Sequence, residues 1–291
     1  MRRRFARRVA VTLLLLLSAC EGGHRVEMLQ ESRPASGLPF LVVRASLPAG
    51  KMEVSRGDSR DLYGLKLSYC RKHSRARSVF APRGKTLEAA EGGLLTIALD
   101  PTRETVAEGR GSQEPNWLSL NLRPALPLDL RFDLGLGEAK LDLTALSVTR
   151  LSVHGGAGPT RIRFSAGNPR DLRLFRFVAG SGPVDLKGLG WGRVTSLEYH
   201  GGAGRSSLDW GGPGPDESAA FLDPGTGRLD LSFPADLGVS LAGGWVPPDP
   251  QPEGFRRRGE GWVSANWETA SRHLTLVLEP GLAPVHFAWN P

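Results

Sequence analysis

The chain has 291 residues, 37 basic and 30 acidic side chains, and a formal charge of +7. Residues 1–19 hold five of the arginines and no acid, so without them the balance is 32 to 30, or +2, which gives no ground for nucleic-acid binding. Two cysteines exclude a disulfide-stapled scaffold, and a chain this long can bury its own core without staples.

Arg2, Arg3, Arg4, Arg7 and Arg8 form a basic leader, and Val9 to Leu17 is an apolar core too short for a permanent membrane span. Leu17-Ser18-Ala19-Cys20 follows, so residues 1–19 read as a signal peptide. The small pair before Cys20 resembles a bacterial lipobox. That resemblance implies cleavage before Cys20 and a lipidated thiol, which anchors the chain to a membrane through buried acyl carbons at about 0.8 kcal/mol per CH₂. Glu21 stands where an aspartate would signal inner-membrane retention, so in a cell with two membranes the outer one is expected. Residues 20–37 then read as a polar tether.

Residues 38–115 are expected to form an N-terminal β module. Pro39 to Leu47 alternates as a strand, Ala49-Gly50 makes a corner, and Met52 to Val54 starts a second strand. Leu62 to Tyr69 and Leu94 to Leu99 read as further strands, with Cys70 placed as a strand cysteine. Arg71, Lys72, His73, Arg75 and Arg77 make a basic cluster that reads as a solvated loop. Pro101 to Pro115 is polar and reads as a long joint.

Residues 116–291 carry the organising pattern. Five Gly-x-Gly triplets recur: Gly135 and Gly137, Gly156 and Gly158, Gly180 and Gly182, Gly202 and Gly204, Gly225 and Gly227. Their second glycines are 21, 24, 22 and 23 residues apart. A period of roughly 20–25 residues marks a solenoid of stacked coils. Alternating apolar residues flank each triplet. Leu130 and Phe132, Leu151 and Val153, Phe175 and Phe177, then Leu197 and Tyr199 lie upstream; Leu141, Ile162, Leu186, Leu208 and Leu231 lie four residues downstream. Each repeat therefore reads as strand, glycine corner, strand and connection. The glycines are expected as turn residues that reach positive φ without steric cost. No Lys-Ser/Thr follows a triplet as in a phosphate loop, and Glu138, Pro159, Pro183, Arg205 and Arg228 follow the triplets where a calcium β-roll needs aspartate.

The repeat becomes irregular after Gly244. Pro247 to Pro252 is a stiff insertion, His273 to Leu278 a strand, and Pro280 to Phe287 a last corner, as expected of a capping end.

The run Leu128 to Phe164, with Asp133-Leu134-Gly135-Leu136-Gly137 and Val153-His154-Gly155-Gly156-Ala157-Gly158, resembles the repeat of bacterial toast-rack putative-adhesin domains. The same superfamily includes the C-terminal domain of LiaF-like cell-wall-stress regulators. Leu47 to Tyr63 is similar to the module that precedes that domain. The resemblance implies an all-β chain forming a right-handed parallel β-helix-like solenoid at the cell envelope, with no established catalytic residues. LiaF-like regulators carry membrane-spanning helices ahead of the β domain, whereas this chain has a lipobox.

Two chemistries compete with a structural role. His154 and His200 precede matching Gly-Gly-Ala-Gly runs, but at roughly 4.8 Å per coil they stand two coils apart with Val178 between them, so no metal site is expected. Polysaccharide cleavage needs clustered carboxylates, and Asp171, Arg173, Arg176 and Asp185 alternate singly. Trp210 falls in the inward column; Trp191, Trp245, Trp262 and Trp267 lie in less regular segments. The sequence thus points to a lipid-anchored, non-enzymatic envelope module of structural, adhesive or protein-interaction type. It would have no cofactor, and an envelope protein or glycan as partner. An accessory sensor in envelope-stress signalling is the alternative reading, and a polysaccharide-active enzyme the third.

Overall fold

A computed structural model describes residues 26–35, 37–83, 92–102, 116–242 and 253–290. The expected signal peptide, Cys20, Trp245 and the 247–252 insertion lie outside these residues, as does nearly all of the 101–115 joint. The described residues form strands and turns without helix.

The regular part is built from strand pairs. Each pair is one coil, with its first strand in a twelve-stranded sheet and its second in a ten-stranded sheet. In chain order the pairs are β2 (Leu41–Ala49) with β3 (Lys51–Arg56), β6 (Gly92–Pro101) with β7 (Trp117–Leu122), β8 (Leu128–Leu136) with β9 (Ala139–Asp142), and β10 (Val148–His154) with β11 (Thr160–Arg163). They continue with β12 (Leu174–Val178) and β13 (Val184–Lys187), β14 (Ser196–His200) and β15 (Ser206–Asp209), β16 (Glu217–Asp223) and β17 (Leu229–Pro234), and β21 (Arg272–Leu278) and β22 (Val285–Asn290). Neighbouring coils pair in parallel, which makes the molecule an all-β solenoid as expected.

Register explains why the apolar residues recur. Leu141, Ile162, Leu186, Leu208, Leu231 and Phe287 are successive partners along the ten-stranded sheet. Phe132, Val153, Phe177, Tyr199, Leu222 and Leu278 form the matching column in the twelve-stranded sheet. The two columns meet in one core, and all but Phe287 are buried. A fully buried side chain of this size stabilises by about 1.5–3 kcal/mol. Tyr199 stacks on Phe177 at 5.8 Å, and its hydroxyl donates to Ser206, a buried serine of the opposite sheet. Trp210 is core, as expected.

The early strands copy the later unit. β2 pairs with β8 from Leu41↔Leu128 to Ala49↔Leu136, and β3 pairs with β9. Both sheets therefore run on across residues 115/116.

The glycines have a different reason from the one expected. Of the ten triplet glycines only Gly137 and Gly225 have positive φ, at 130° and 68°. The constraint is close approach between coils. A Cβ on Gly156 would lie 1.7 Å from the carbonyl oxygen of Gly135 one coil below, and one on Gly180 would lie 2.2 Å from that of Gly156. A Cβ on Gly202 would meet the oxygen of Gly180 at 1.7 Å. The second glycines repeat this: Gly137 sits over Gly50, then Gly158, Gly182, Gly204 and Gly227 each over its predecessor. Corner amides bond across the same gap, as in Ala157 N–H to Gly135 O at 3.2 Å and Ala203 N–H to Gly180 O at 3.3 Å.

Both ends depart from sequential stacking. β2–β3 lies between β6–β7 and β8–β9, although β6–β7 comes between them in the chain. At the other end β21 is inserted between β16 and β18 (Leu237–Ala242), with β20 (Gly261–Ser264) and β19 (Phe255–Arg258) beyond. β4 (Asp61–Cys70) and β5 (Ser74–Arg83) cap the first end, running antiparallel to β7 and β6. The basic cluster is thus not a free loop: Arg71 to His73 form the turn, and Arg75 and Arg77 lie on β5. Residues 26–34 are likewise not tether but β1 (Val26–Pro34), paired antiparallel with β4. Its apolar residues are too few to announce a strand, and its charges have work across the gap. Glu31 accepts from Tyr63 of β4 and from Ser78 of β5 at 2.8 Å, and Arg33 stacks 3.7 Å over Phe80.

Replacing Gly156 by alanine should cost about 3 kcal/mol or more, because backbone rather than a side chain must move. Gly167→Ala, where a Cβ meets nothing within 4 Å, should be near neutral; urea titration of the two variants distinguishes them. The β1–β4 contact makes a second prediction. Tyr69 is pushed up to about 12 by burial and by its bond to Glu27, and Tyr63 is raised by burial and by Glu31. A raised folded-state tyrosine contributes stability below about pH 10 that is lost as pH rises toward 12. Unfolding free energy should fall across that window and fall less in Tyr63→Phe/Tyr69→Phe.

Candidate functional site

The surfaces available for function are the outward faces of the two sheets. Strand alternation puts every second residue there, and register aligns these residues in columns. On the ten-stranded sheet one column runs Glu53, Lys140, Arg161, Asp185, Ser207 and Asp230. Opposite charges meet between and along strands. Glu138 receives Arg161 at 2.5 Å and Lys140 at 3.2 Å, and Asp230 receives both Arg205 and Arg228 at 2.7 Å. A shallow depression of about 340 Å³ lies among Pro159, Arg161, Pro183, Asp185 and Arg205. Its floor is strand surface, and its cations are tied to neighbouring carboxylates.

The perturbed carboxyls are held low. Asp58 is lowered to about 2 by its bonds from Arg60. Glu53 is lowered by bonds from Lys51 and Trp117. At Asp230 partial burial works upward, but Arg228 and Arg205 carry the balance downward. A general acid needs the opposite shift.

Asp171, Arg176 and Asp185 do not converge on one site. Arg176 lies on β12 in one sheet and Asp185 on β13 in the other. Asp171 pairs with Arg193 at 2.8 Å, Arg176 with Glu198 at 3.7 Å and Asp185 with Lys187 at 3.4 Å.

The histidine column on the twelve-stranded sheet stands as the sequence placed it. Asp133, His154, Val178, His200 and Asp223 are successive partners. His154 Nδ1 lies 2.7 Å from Asp133, and His200 Nδ1 lies 3.9 Å from Asp223. Each histidine thus turns toward its own carboxylate, away from the other. Among the described residues no group of three ligating side chains could hold a metal. Cys70 is buried at the end of β4.

Aromatic side chains gather at the C-terminal end of the core. Phe233 packs 5.3 Å from both Trp210 and Trp289, and Phe255 packs 5.2 Å from Phe287 and 5.6 Å from Trp289. Trp267 meets His273 edge-on at 4.6 Å, and Trp191 is 37% exposed beside Gly212. The importance of Trp289 and Phe255 was not read from the sequence, because their partners come from strands inserted out of order. Among the described residues no helix is long and apolar enough to cross a membrane.

Residues 30–174 match the family model described as the N-terminal domain of toast_rack, DUF2154. Three solved structures are similar over most of their length. One is a putative cell adhesion protein from Clostridium sporogenes ATCC 15579, 15% identical, covering 91% of this chain and all (100%) of that one, with a TM-score of 0.46. The second is a putative adhesin from Bacteroides fragilis NCTC 9343, 7% identical, covering 90% and 97%, with a TM-score of 0.38. The third is a putative adhesin from Parabacteroides merdae ATCC 43184, 7% identical, covering 91% and 96%, with a TM-score of 0.25. No curated protein matches the sequence. Residues 30–174 of this solenoid are thus a toast-rack N-terminal domain.

Proposed function

We propose that the chain is a lipid-anchored, non-catalytic module of the cell envelope that presents a rigid β-solenoid surface to a protein or glycan partner. The observation that carries the reading is the state of the outward faces. Many of their charged side chains pair with one another between coils, as at Glu138 and Asp230, and the depression between them is shallow. Such a surface suits broad, shape-based contact more than turnover of a small substrate, which favours an enclosing pocket with convergent polar groups. The Leu17-Ser18-Ala19-Cys20 run supports the anchor, with Cys20 as the lipidated residue.

The test uses cells expressing the full chain. The wild type should incorporate labelled palmitate and sediment with membranes, and Cys20→Ala should lose both. Crosslinking of intact cells should recover one discrete partner. Membrane retention by Cys20→Ala would contradict the anchor, and polymer breakdown by the purified chain would contradict the non-catalytic reading.

A further inference from the structure

The chain enters the described fold beside a cationic turn. β1 begins at Val26, which pairs with Cys70, the last residue of β4. Arg71, Lys72 and His73 follow at once as the turn that crosses from the ten-stranded to the twelve-stranded sheet, and Arg75 and Arg77 stand at the start of β5. A side-chain contact confirms the proximity: Arg71 Nη1 lies 3.1 Å from Glu27 Oε1 of β1.

The charges of this turn do not cancel as those at Glu138 and Asp230 do. Arg71 pairs with Glu27, and Arg77 meets Asp100 at 3.5 Å. Both arginines stay open to solvent in these pairs, with side chains 77% and 61% exposed. The Glu27 carboxylate is only 20% exposed and also accepts from Tyr69. Lys72 and Arg75 are exposed and form no ion pair among the described residues. Four cations, Arg71, Lys72, Arg75 and Arg77, thus stand against two carboxylates, an excess of +2 on one exposed turn.

We propose that this turn docks on the anionic phosphate headgroups of the membrane that holds the lipid anchor, and so sets the first end of the solenoid against the membrane surface. The inference rests on the reading of Cys20 as the lipidated residue. Cys20 and Val26 are six residues apart, so even a fully extended chain puts Val26 within about 22 Å of the anchored cysteine. The membrane is therefore already held near the turn, at high effective concentration, before any charge interaction is made. A negative leaflet attracts juxtamembrane lysine and arginine over roughly one Debye length, about 8 Å at physiological salt. Arginine suits the contact because its guanidinium can bond two phosphate oxygens at once. The acyl chains supply retention, and the turn supplies orientation. With the first end seated, the β16–β17 coil stands six coils beyond β6–β7, roughly 29 Å along the stack at about 4.8 Å per coil.

Lys72 itself reports the contact. The purified lipidated protein is incorporated into vesicles of phosphatidylcholine alone, or of phosphatidylcholine and phosphatidylglycerol in equal parts. The floated fraction is then acylated with a water-soluble amine reagent, and each lysine is followed by mass spectrometry. Acylation of Lys72 should be at least about fivefold slower on the anionic vesicles. Lys187 of β13, four coils along from β6–β7, should react equally on both. In Arg71→Gln/Arg75→Gln/Arg77→Gln, which keeps Lys72, most of the protection should be lost. Equal acylation of Lys72 on the two vesicles would overturn the proposal, as would protection undiminished in the triple variant. Failure of the wild type to float with either vesicle would instead contradict the Cys20 anchor and remove this inference with it.

Discussion

The close approach of backbone to backbone at the glycine corner governs the rest of the structure. Each triplet glycine lies where a Cβ would collide with the carbonyl of the coil below. Successive corners can therefore stack at the spacing of a parallel sheet, and the corner amides stay within hydrogen-bonding reach of that same carbonyl row. If the corners were held apart, the strands on either side could not keep the register that aligns Phe132, Val153, Phe177, Tyr199 and Leu222. The core columns and the outward ion-pair columns both follow from that register. An outward face whose charges pair from coil to coil, as at Glu138 and Asp230, is the consequence.

A stack of coils has two open ends, and this chain closes each by placing strands out of sequence. β2–β3 is enclosed by β6–β7, and β21 is enclosed by β18. Antiparallel strands then seal the first end, with Glu31 and Arg33 of β1 reaching across to β5. The other end is plugged by Phe233, Phe255 and Trp289. Enclosure ties residues distant in sequence into one sheet, so the terminal coils cannot peel away singly as they could in a purely sequential solenoid.

The regular coils were legible because their causes are local. Alternation marks the strands, and the 21- to 24-residue steps mark the repeat. Even Gly50 announced a corner, and β2–β3 proved to be its coil. The physical reason for the glycines was not legible, because close approach involves a carbonyl some twenty residues away while turn chemistry is local. β1 was missed since Glu27, Glu31 and Arg33 read as tether until Tyr69, Tyr63 and Phe80 are brought beside them. The out-of-order insertions were missed for a related reason: a repeat period fixes spacing along the chain but carries no order of stacking. Of the candidate surface, sequence placed the histidine column and Trp210 correctly, because both follow from register alone.

The central claim is that the Gly-x-Gly segments are a hydrogen-bonded, close-packed seam of the solenoid and not loops free to receive a ligand. Native-state hydrogen exchange at the amides of Ala157, Ala203 and Thr226 tests it most directly, since each donates to the glycine carbonyl of the preceding coil. On this account those amides exchange only with global unfolding, at the same free energy as the neighbouring strand amides of β10, β14 and β16. Fast local exchange at the three corners, with the strands still protected, would contradict it.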